Sequence, residues 1–214
     1  RYIYENLFLY QLVTQWNRAQ LCHEAGDSAV AEISLAPFLE KLPFELTEGQ
    51  KSAVRDIQQD LSSSRPMNRL VQGDVGCGKT AVAETALYRV AIAGGQSAFM
   101  APTEILARQH YEKLSKDFEP LGIHCVLLIS ALSAPEKKKV LQEIREGTAD
   151  VVVGTHAIIQ ENVTFQNLEL VITDEQHRFG VNQRRLLLEK SRIPNVLVMS
   201  ATPIPRTLQA TVYG

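Results

Sequence analysis

The chain has 214 residues, of which 45% are hydrophobic and 21% charged, and its net charge at pH 7 is −2. These values are ordinary for a soluble globular protein with one substantial core, and they argue against a protein that coats duplex DNA through a basic surface. The sequence has no apolar run near the roughly 20 residues that span a bilayer. Its three cysteines are too scattered for a disulfide framework, so we expect a reducing compartment.

The chain begins with an amphipathic segment and then changes to an alternating pattern. Residues 1–24 favour a helix, and a connector at 37–43 leads into the rest, so we expect a helical linker over residues 1–43. From residue 44 onward, short apolar runs alternate with helical periodicity. The predicted strands are 69–72, 97–101, 124–129, 150–153, 169–173 and 195–199, and the predicted helices are 48–61, 81–92, 104–118 and 134–146. This alternation predicts an α/β fold with a mostly parallel sheet and helices on both faces.

The residues around the start of the first of these helices carry one weak signal. Gln50 has an amide that can bond both the donor and the acceptor edge of adenine, and Phe44 can lie against the ring. A helix cap at Thr47 followed by a surface glutamine explains the same residues equally well. Both interpretations stay open at this point.

The segment 73–80 reads GDVGCGKT and matches the phosphate-binding pattern G-x-x-x-x-G-K-[ST] between a predicted strand and a predicted helix. Lys79 is expected to reach the β- and γ-phosphates, and the Thr80 hydroxyl to hold Mg²⁺. The loop backbone and the positive end of the helix would surround the β-phosphate. The loop residues expected there are Gly73, Asp74, Gly76 and Gly78. The pattern predicts that the chain binds a nucleoside triphosphate, ATP with Mg²⁺.

Two more strands end in polar residues. Asp174 and Glu175 follow the strand 169–173, and buried carboxylates are costly unless they meet cations. Asp174 is expected to hold Mg²⁺ and Glu175 to orient the attacking water, with an acidic loop cap as the alternative. His177 is a candidate for coupling to the γ-phosphate. After the strand 195–199, the hydroxyls of Ser200 and Thr202 could sense the γ-phosphate through these residues.

Small and hydroxyl residues also follow the strands 97–101 and 150–153. Thr103 and Thr155, with His156, could contact the phosphates of a DNA strand without reading bases. Helix capping explains each threonine about as well. Their recurrence at one edge of a parallel sheet favours the phosphate contact.

Taken together, five segments resemble the first motor domain of superfamily 2 helicases, and specifically the RecG family of ATP-dependent DNA helicases. They read QGDVGCGKT, APTEILARQH, GTHAIIQ, DEQHRFGVNQR and MSATPIPRTL. The resemblance implies a RecA-like P-loop domain over residues 44–214, with residues 1–43 as the linker from a preceding wedge domain. It also implies ATP, Mg²⁺ and branched DNA, such as stalled forks and Holliday junctions, as ligands. A member of this family would be found in the bacterial cytoplasm at the nucleoid, or in an organelle if the source is eukaryotic.

The resemblance carries the roles given above onto the residues that match: Gln50 at adenine, Lys79 and Thr80 at the phosphates, Asp174 and Glu175 at Mg²⁺ and water. His177, Ser200 and Thr202 would couple nucleotide state to DNA, with Thr103 and Thr155 as strand contacts. A second RecA-like domain, the expected partner that supplies arginine fingers, is absent from the 214 residues. We therefore expect this chain alone to bind nucleotide, to hydrolyse it poorly and to unwind nothing.

Two features leave alternatives. Cys77 stands where serine is common, which could make the loop sensitive to oxidation or could be a tolerated small residue. Gln176 distinguishes the acidic motif from the DEEH of the transcription–repair coupling translocase, which is the alternative motor. A nucleotide-sensing interaction module without turnover is a further alternative. The intact Lys79, Thr80, Asp174 and Glu175 argue against it. A P-loop kinase or GTPase is disfavoured because no N-K-x-D motif is present.

Overall fold

The structure of the chain is a computed structural model, and it describes residues 30–160, 162–174 and 194–201. Within these ranges it contains a six-stranded sheet in which every pair of neighbouring strands is parallel. The strands are β1 Asn68–Gln72, β2 Gln96–Met100, β3 Cys125–Leu128, β4 Val151–Gly154, β5 Leu168–Asp174 and β6 Asn195–Ser200. All six predicted strands are confirmed, within two residues at each end.

Five α-helices accompany these strands in the described ranges: α1 Ala36–Leu39, α2 Glu48–Leu61, α3 Lys79–Ile92, α4 Glu104–Phe118 and α5 Ala134–Glu146. Short 3₁₀ helices follow α4 and β4, at Glu119–Leu121 and His156–Ile159. The four predicted helices are confirmed, one before the first strand and three between strands. The capping boxes explain two of the starts, because Thr47 pairs with Gln50 and Ser133 with Glu136. Among the described residues, no helix is long and apolar enough to cross a membrane.

The strand order across the sheet is β1-β6-β5-β2-β4-β3. One face packs against α2, α3 and α4, with Phe99, Leu170 and Leu197 among its strand residues. The opposite face carries Val152 and Val171 and packs against α5 and the 3₁₀ segment after β4. Helices therefore cover both faces, as the continuous apolar runs of the strands predict.

Residues 30–43, assigned from the sequence to the linker, share the core of the α/β domain in this structure. The Phe38 ring is buried and stacks on Tyr88 of α3, with ring centroids 5.5 Å apart. It also meets Phe118 of α4 at 5.7 Å. This stretch therefore buries its aromatic side chain against two helices of the α/β domain. The amphipathic segment 1–24 lies outside the described residues.

Candidate nucleotide-binding site

The predicted phosphate-binding loop joins β1 to α3 and is shaped by two glycines with left-handed backbone. Gly76 has φ +81° and Gly78 has φ +82°, which a residue with a side chain adopts only with strain. Gly78 is also the N-cap of α3, so the helix N-terminus opens directly at Lys79 and Thr80. At Gly73 a Cβ would lie 2.5 Å from the Cys77 Sγ, so a side chain there would require Cys77 to shift. The curled loop that the sequence predicts is thus present.

The Lys79 ammonium lies inside this loop. Its Nζ donates hydrogen bonds to the carbonyl oxygens of Gly73 at 2.7 Å and Asp74 at 2.8 Å. The Cys77 Sγ is 3.9 Å away. Thr80 is the second residue of α3 and is partly exposed. The cation and the helix N-terminus therefore lie together, which is the combination that binds phosphate groups.

Gln50 lies against the same loop. Its Nε2 donates a 2.8 Å hydrogen bond to the Cys77 carbonyl, and its Oε1 accepts one of 2.8 Å from the Thr47 amide. An amide group has a second N–H and further lone pairs, so one donor and one acceptor stay available for a purine edge. Phe44 is 49% exposed and lines a groove of about 700 Å³ together with Leu42, Leu46 and Lys51. The helix cap at Thr47 is confirmed, and it is compatible with the adenine role.

The strand ends bring the other motifs to the same edge of the sheet. Asp174 ends β5 and is paired in register with Met199, next to Ser200, which ends β6. The Ser200 carbonyl accepts a 3.2 Å hydrogen bond from the Gly73 amide, so β6 is bonded directly to the loop. Ser200 itself is buried, whereas Asp174 is partly exposed. The remaining members of these motifs, Glu175, His177 and Thr202, lie outside the described residues.

The predicted DNA-contacting residues follow β2 and β4, which are neighbours. The Thr103 hydroxyl accepts a 3.3 Å hydrogen bond from the Leu106 amide and so caps α4. Thr155 is only 6% exposed and does not present its side chain at the surface, while the adjacent His156 is exposed. Because it is exposed, His156 is better placed than Thr155 to reach a DNA strand.

One residue of this region was missed by sequence reasoning. His110, on α4, places its Nε2 at 3.1 Å from the Asp174 Oδ2. Three residues later, Lys113 forms an ion pair with Glu84 of α3, and its Nζ is 3.2 Å from Asp117. Burial raises the pKa of Glu84 although Lys113 opposes it, and the two carboxylates raise the pKa of Lys113 against the effect of burial. Nothing in the local sequence around His110 signals its partner, because the pair forms across 64 residues of chain.

Comparison with known proteins places this chain among the helicases. The family model described as DEAD/DEAH box helicase matches residues 47–211. An "ATP-dependent DNA helicase RecG" of Aquifex aeolicus is 50% identical over 217 residues, covering 100% of this chain and 27% of that protein. The protein of the same description from Thermotoga maritima is 50% identical over 215 residues, covering 100% of this chain and 28% of the relative. The chain thus spans just over a quarter of the length of these relatives.

A solved structure is similar as well. The chain superimposes on "Structure of RecG bound to three-way DNA junction" with a TM-score of 0.86 and 47% identity, covering 99% of this chain and 28% of that one. At this identity the likeness includes the sequence as well as the fold. The parallel sheet with helices on both faces is therefore the RecA-like helicase fold that the sequence motifs predict.

Proposed function

Because the chain belongs to the DEAD/DEAH box helicase family, we propose that it is the ATP-binding half of a DNA motor that acts on branched DNA. We assign residues 44–214 to the first RecA-like motor domain and residues 1–43 to a linker from a preceding domain. Its partner would be a second RecA-like domain in the full-length protein. The relatives are RecG helicases of bacteria, and one was solved on a three-way junction. These relatives favour this function over transcription–repair coupling. They also favour a location at the bacterial nucleoid.

The observation that carries the proposal is the position of the Lys79 ammonium in a loop that ends at a helix N-terminus. The Nζ is held by two neutral carbonyl oxygens, those of Gly73 and Asp74. A phosphate carries full negative charge and accepts stronger hydrogen bonds from an ammonium than a neutral carbonyl does. We expect Lys79 to exchange these carbonyls for β- and γ-phosphate oxygens when ATP binds.

The residues present also fit Mg²⁺. Thr80 and Asp174 offer a hydroxyl and a carboxylate oxygen, both partly exposed, and hard oxygen donors are what Mg²⁺ prefers. The described residues contain no group of three or more His, Cys, Asp or Glu that could hold a metal by itself. This suits an ion held by one or two protein oxygens together with substrate phosphates. When bound, it neutralises charge that develops on the phosphates.

We assign the remaining steps to residues at the ends of β5 and β6. Glu175 would orient the attacking water, and His177 with Ser200 and Thr202 would report the γ-phosphate to the DNA-contacting edge. The hydrogen bond from the Gly73 amide to the Ser200 carbonyl supports this, since it joins the phosphate loop to the strand that carries the last motif. Gln50 and Phe44 would hold the adenine. Thr103 and the exposed His156, which follows the buried Thr155, would contact a DNA strand.

The test is nucleotide binding and turnover by the full-length protein, with and without forked DNA. We expect Lys79→Ala to weaken binding of a fluorescent ATP analogue at least tenfold and to abolish DNA-stimulated hydrolysis. Lys139→Ala is the matched control. This substitution removes the same charge from a side chain that is 79% exposed on α5. Unchanged binding and turnover in Lys79→Ala would disprove the proposed site. Binding without DNA-stimulated turnover in the unsubstituted protein would instead indicate a nucleotide sensor.

A further inference from the structure

The inner face of α4 contacts both halves of the nucleotide site. His110 and Lys113 are three residues apart and so lie on the same side of this helix. His110 meets Asp174 at the end of β5, and Lys113 pairs with Glu84 of α3, the helix that begins at Lys79. One helix is therefore attached to the strand of the acidic motif and to the helix of the phosphate loop.

The bond between His110 and Asp174 is held in a fixed geometry. The two side chains are 15% and 20% exposed, and Nε2 and Oδ2 are 3.1 Å apart. The His110 ring also packs on Phe99 of β2, with centroids 4.6 Å apart and planes tilted by 48°. Phe99 is completely buried, so the packing fixes the ring, and the ring in turn fixes the carboxylate. An ionised carboxylate only accepts, so Nε2 donates in this pair.

The same helix begins at the edge of the sheet proposed to hold DNA. Thr103 caps α4, and Ile105 in its first turn is 71% exposed. His110 follows Thr103 by seven residues, which is about 10 Å along a helix. A helix moves as a rigid body over this length, so a displacement at its N-terminus reaches the His110 ring.

We propose that His110 is a positioning residue that couples the two ligands: it holds the Asp174 carboxylate in place and transmits DNA contact at the start of α4 to the nucleotide site. The inference rests on the proposed function of the chain as a nucleotide-driven DNA motor. In thermodynamic terms, loss of His110 reduces the factor by which DNA changes nucleotide affinity. By linkage, it reduces equally the factor by which nucleotide changes DNA affinity.

The experiment compares the full-length protein with His110→Ala and His110→Gln. The dissociation constant of forked DNA is measured with and without a non-hydrolysable ATP analogue and Mg²⁺, and that of the analogue with and without DNA. Allosteric factors between two sites are typically about 5 to 150. We expect His110→Ala to reduce this factor to below about 2, with nucleotide affinity in EDTA unchanged within twofold. His110→Gln retains an N–H donor and should restore at least half of the coupling free energy.

His124→Gln is the matched control, because this histidine is 53% exposed and lies 3.4 Å from Glu143, away from Asp174. It should leave all four constants unchanged. An unchanged coupling factor in His110→Ala overturns the inference. This includes an equal loss of DNA affinity with and without nucleotide, which would mean that His110 only stabilises the structure of α4. If His110→Ala fails to fold, a Gln variant without coupling overturns it. Failure of the unsubstituted protein to bind either ligand would refute the proposed function instead.

Discussion

The two described cysteines show how differently one residue type behaves at two places in this fold. Cys77 is exposed in the phosphate loop, and Cys125 is buried in β3. Burial, with the nearby Asp150 carboxylate, raises the pKa of the Cys125 thiol from 9.0 to about 12. The thiolate is the reactive form, so the two positions should react with alkylating reagents at very different rates.

We predict that iodoacetamide at pH 8 modifies Cys77 first and that Mg²⁺ with ATP protects it. Cys125 should stay unmodified, because a pKa raised by three units lowers the thiolate fraction about a thousandfold. Its reaction should begin only as the pH rises toward 12 or the protein unfolds. Peptide mapping by mass spectrometry, with urea-unfolded protein as the control, measures each site separately. Equal modification of both sites at pH 8 in the folded protein would contradict the prediction.

The same pKa has a consequence for stability. Because the folded-state value lies above the ordinary one of 9.0, the folded state favours the neutral thiol. This contribution is fully present below pH 9 and is lost as the pH rises from 9 toward 12.

At the scale of elements, α3 does more than follow the phosphate loop. Arg89, on this helix, is only 1% exposed, and all five of its N–H groups donate. Nε bonds Ala31 O at 3.0 Å, Nη1 bonds both oxygens of Gln58 at 2.7 and 2.9 Å, and Nη2 bonds Val30 O at 2.6 Å and Ser62 Oγ at 2.9 Å. The helix of the nucleotide site thus fixes the chain segment that enters the domain.

We predict that Arg89→Met lowers the free energy of unfolding by about 3 to 5 kcal/mol, because it leaves buried carbonyl groups without donors. Hydrogen exchange of residues 30–35 should rise at least tenfold, whereas the strands stay protected. Urea unfolding and exchange mass spectrometry measure the two effects. Arg55→Met, on the exposed side of α2, is the control and should cost less than about 0.5 kcal/mol. Unchanged protection of residues 30–35 in Arg89→Met would show that the guanidinium does not hold this segment.

The sequence predicts the secondary-structure elements of this fold, but it does not predict the side-chain contacts that join them. Runs such as Val151–Val153 specify buried strands through local composition, and Ser133 with Glu136 specifies a helix start. Gln96 is different: its amide is buried and bonds Ile144 O, Ala149 O and the amides of Gln166 and Asn167. These partners lie 48 to 71 residues away, so no local pattern indicates them. Arg89 and the pair of His110 with Asp174 escaped prediction for the same reason.

For the molecule as a whole, strand order decides which motifs meet. The periodicity of the sequence predicted six strands but not the order β1-β6-β5-β2-β4-β3. That order places β6 between β1 and β5, which brings Ser200 beside the phosphate loop, and it places β2 beside β4, which brings Thr103 and His156 to one edge. The rule that parallel strands present their ligands at their carboxyl ends predicted the shared edge. The distances along it needed the structure.

The whole-molecule prediction concerns how much of the motor these 214 residues supply. The proposed site would supply a phosphate loop, oxygen ligands for Mg²⁺ and coupling residues on two strands. In related P-loop enzymes, an arginine finger from a second domain contributes about 10³ to 10⁵ in turnover. We therefore expect residues 1–214, expressed by themselves, to bind the ATP analogue within tenfold of the affinity of the full-length protein. Their hydrolysis should be at least about a thousandfold slower, and strand separation undetectable.

Steady-state hydrolysis on forked DNA, with Lys79→Ala as the background, measures this difference in turnover. Retained nucleotide binding would show that the domain is folded, so slow turnover would then indicate that a second domain is needed for catalysis. Turnover within tenfold of the full-length protein would mean that the first domain completes its own catalytic site. It could do so within one chain or by pairing between two copies. A specific rate that depends on protein concentration would indicate pairing.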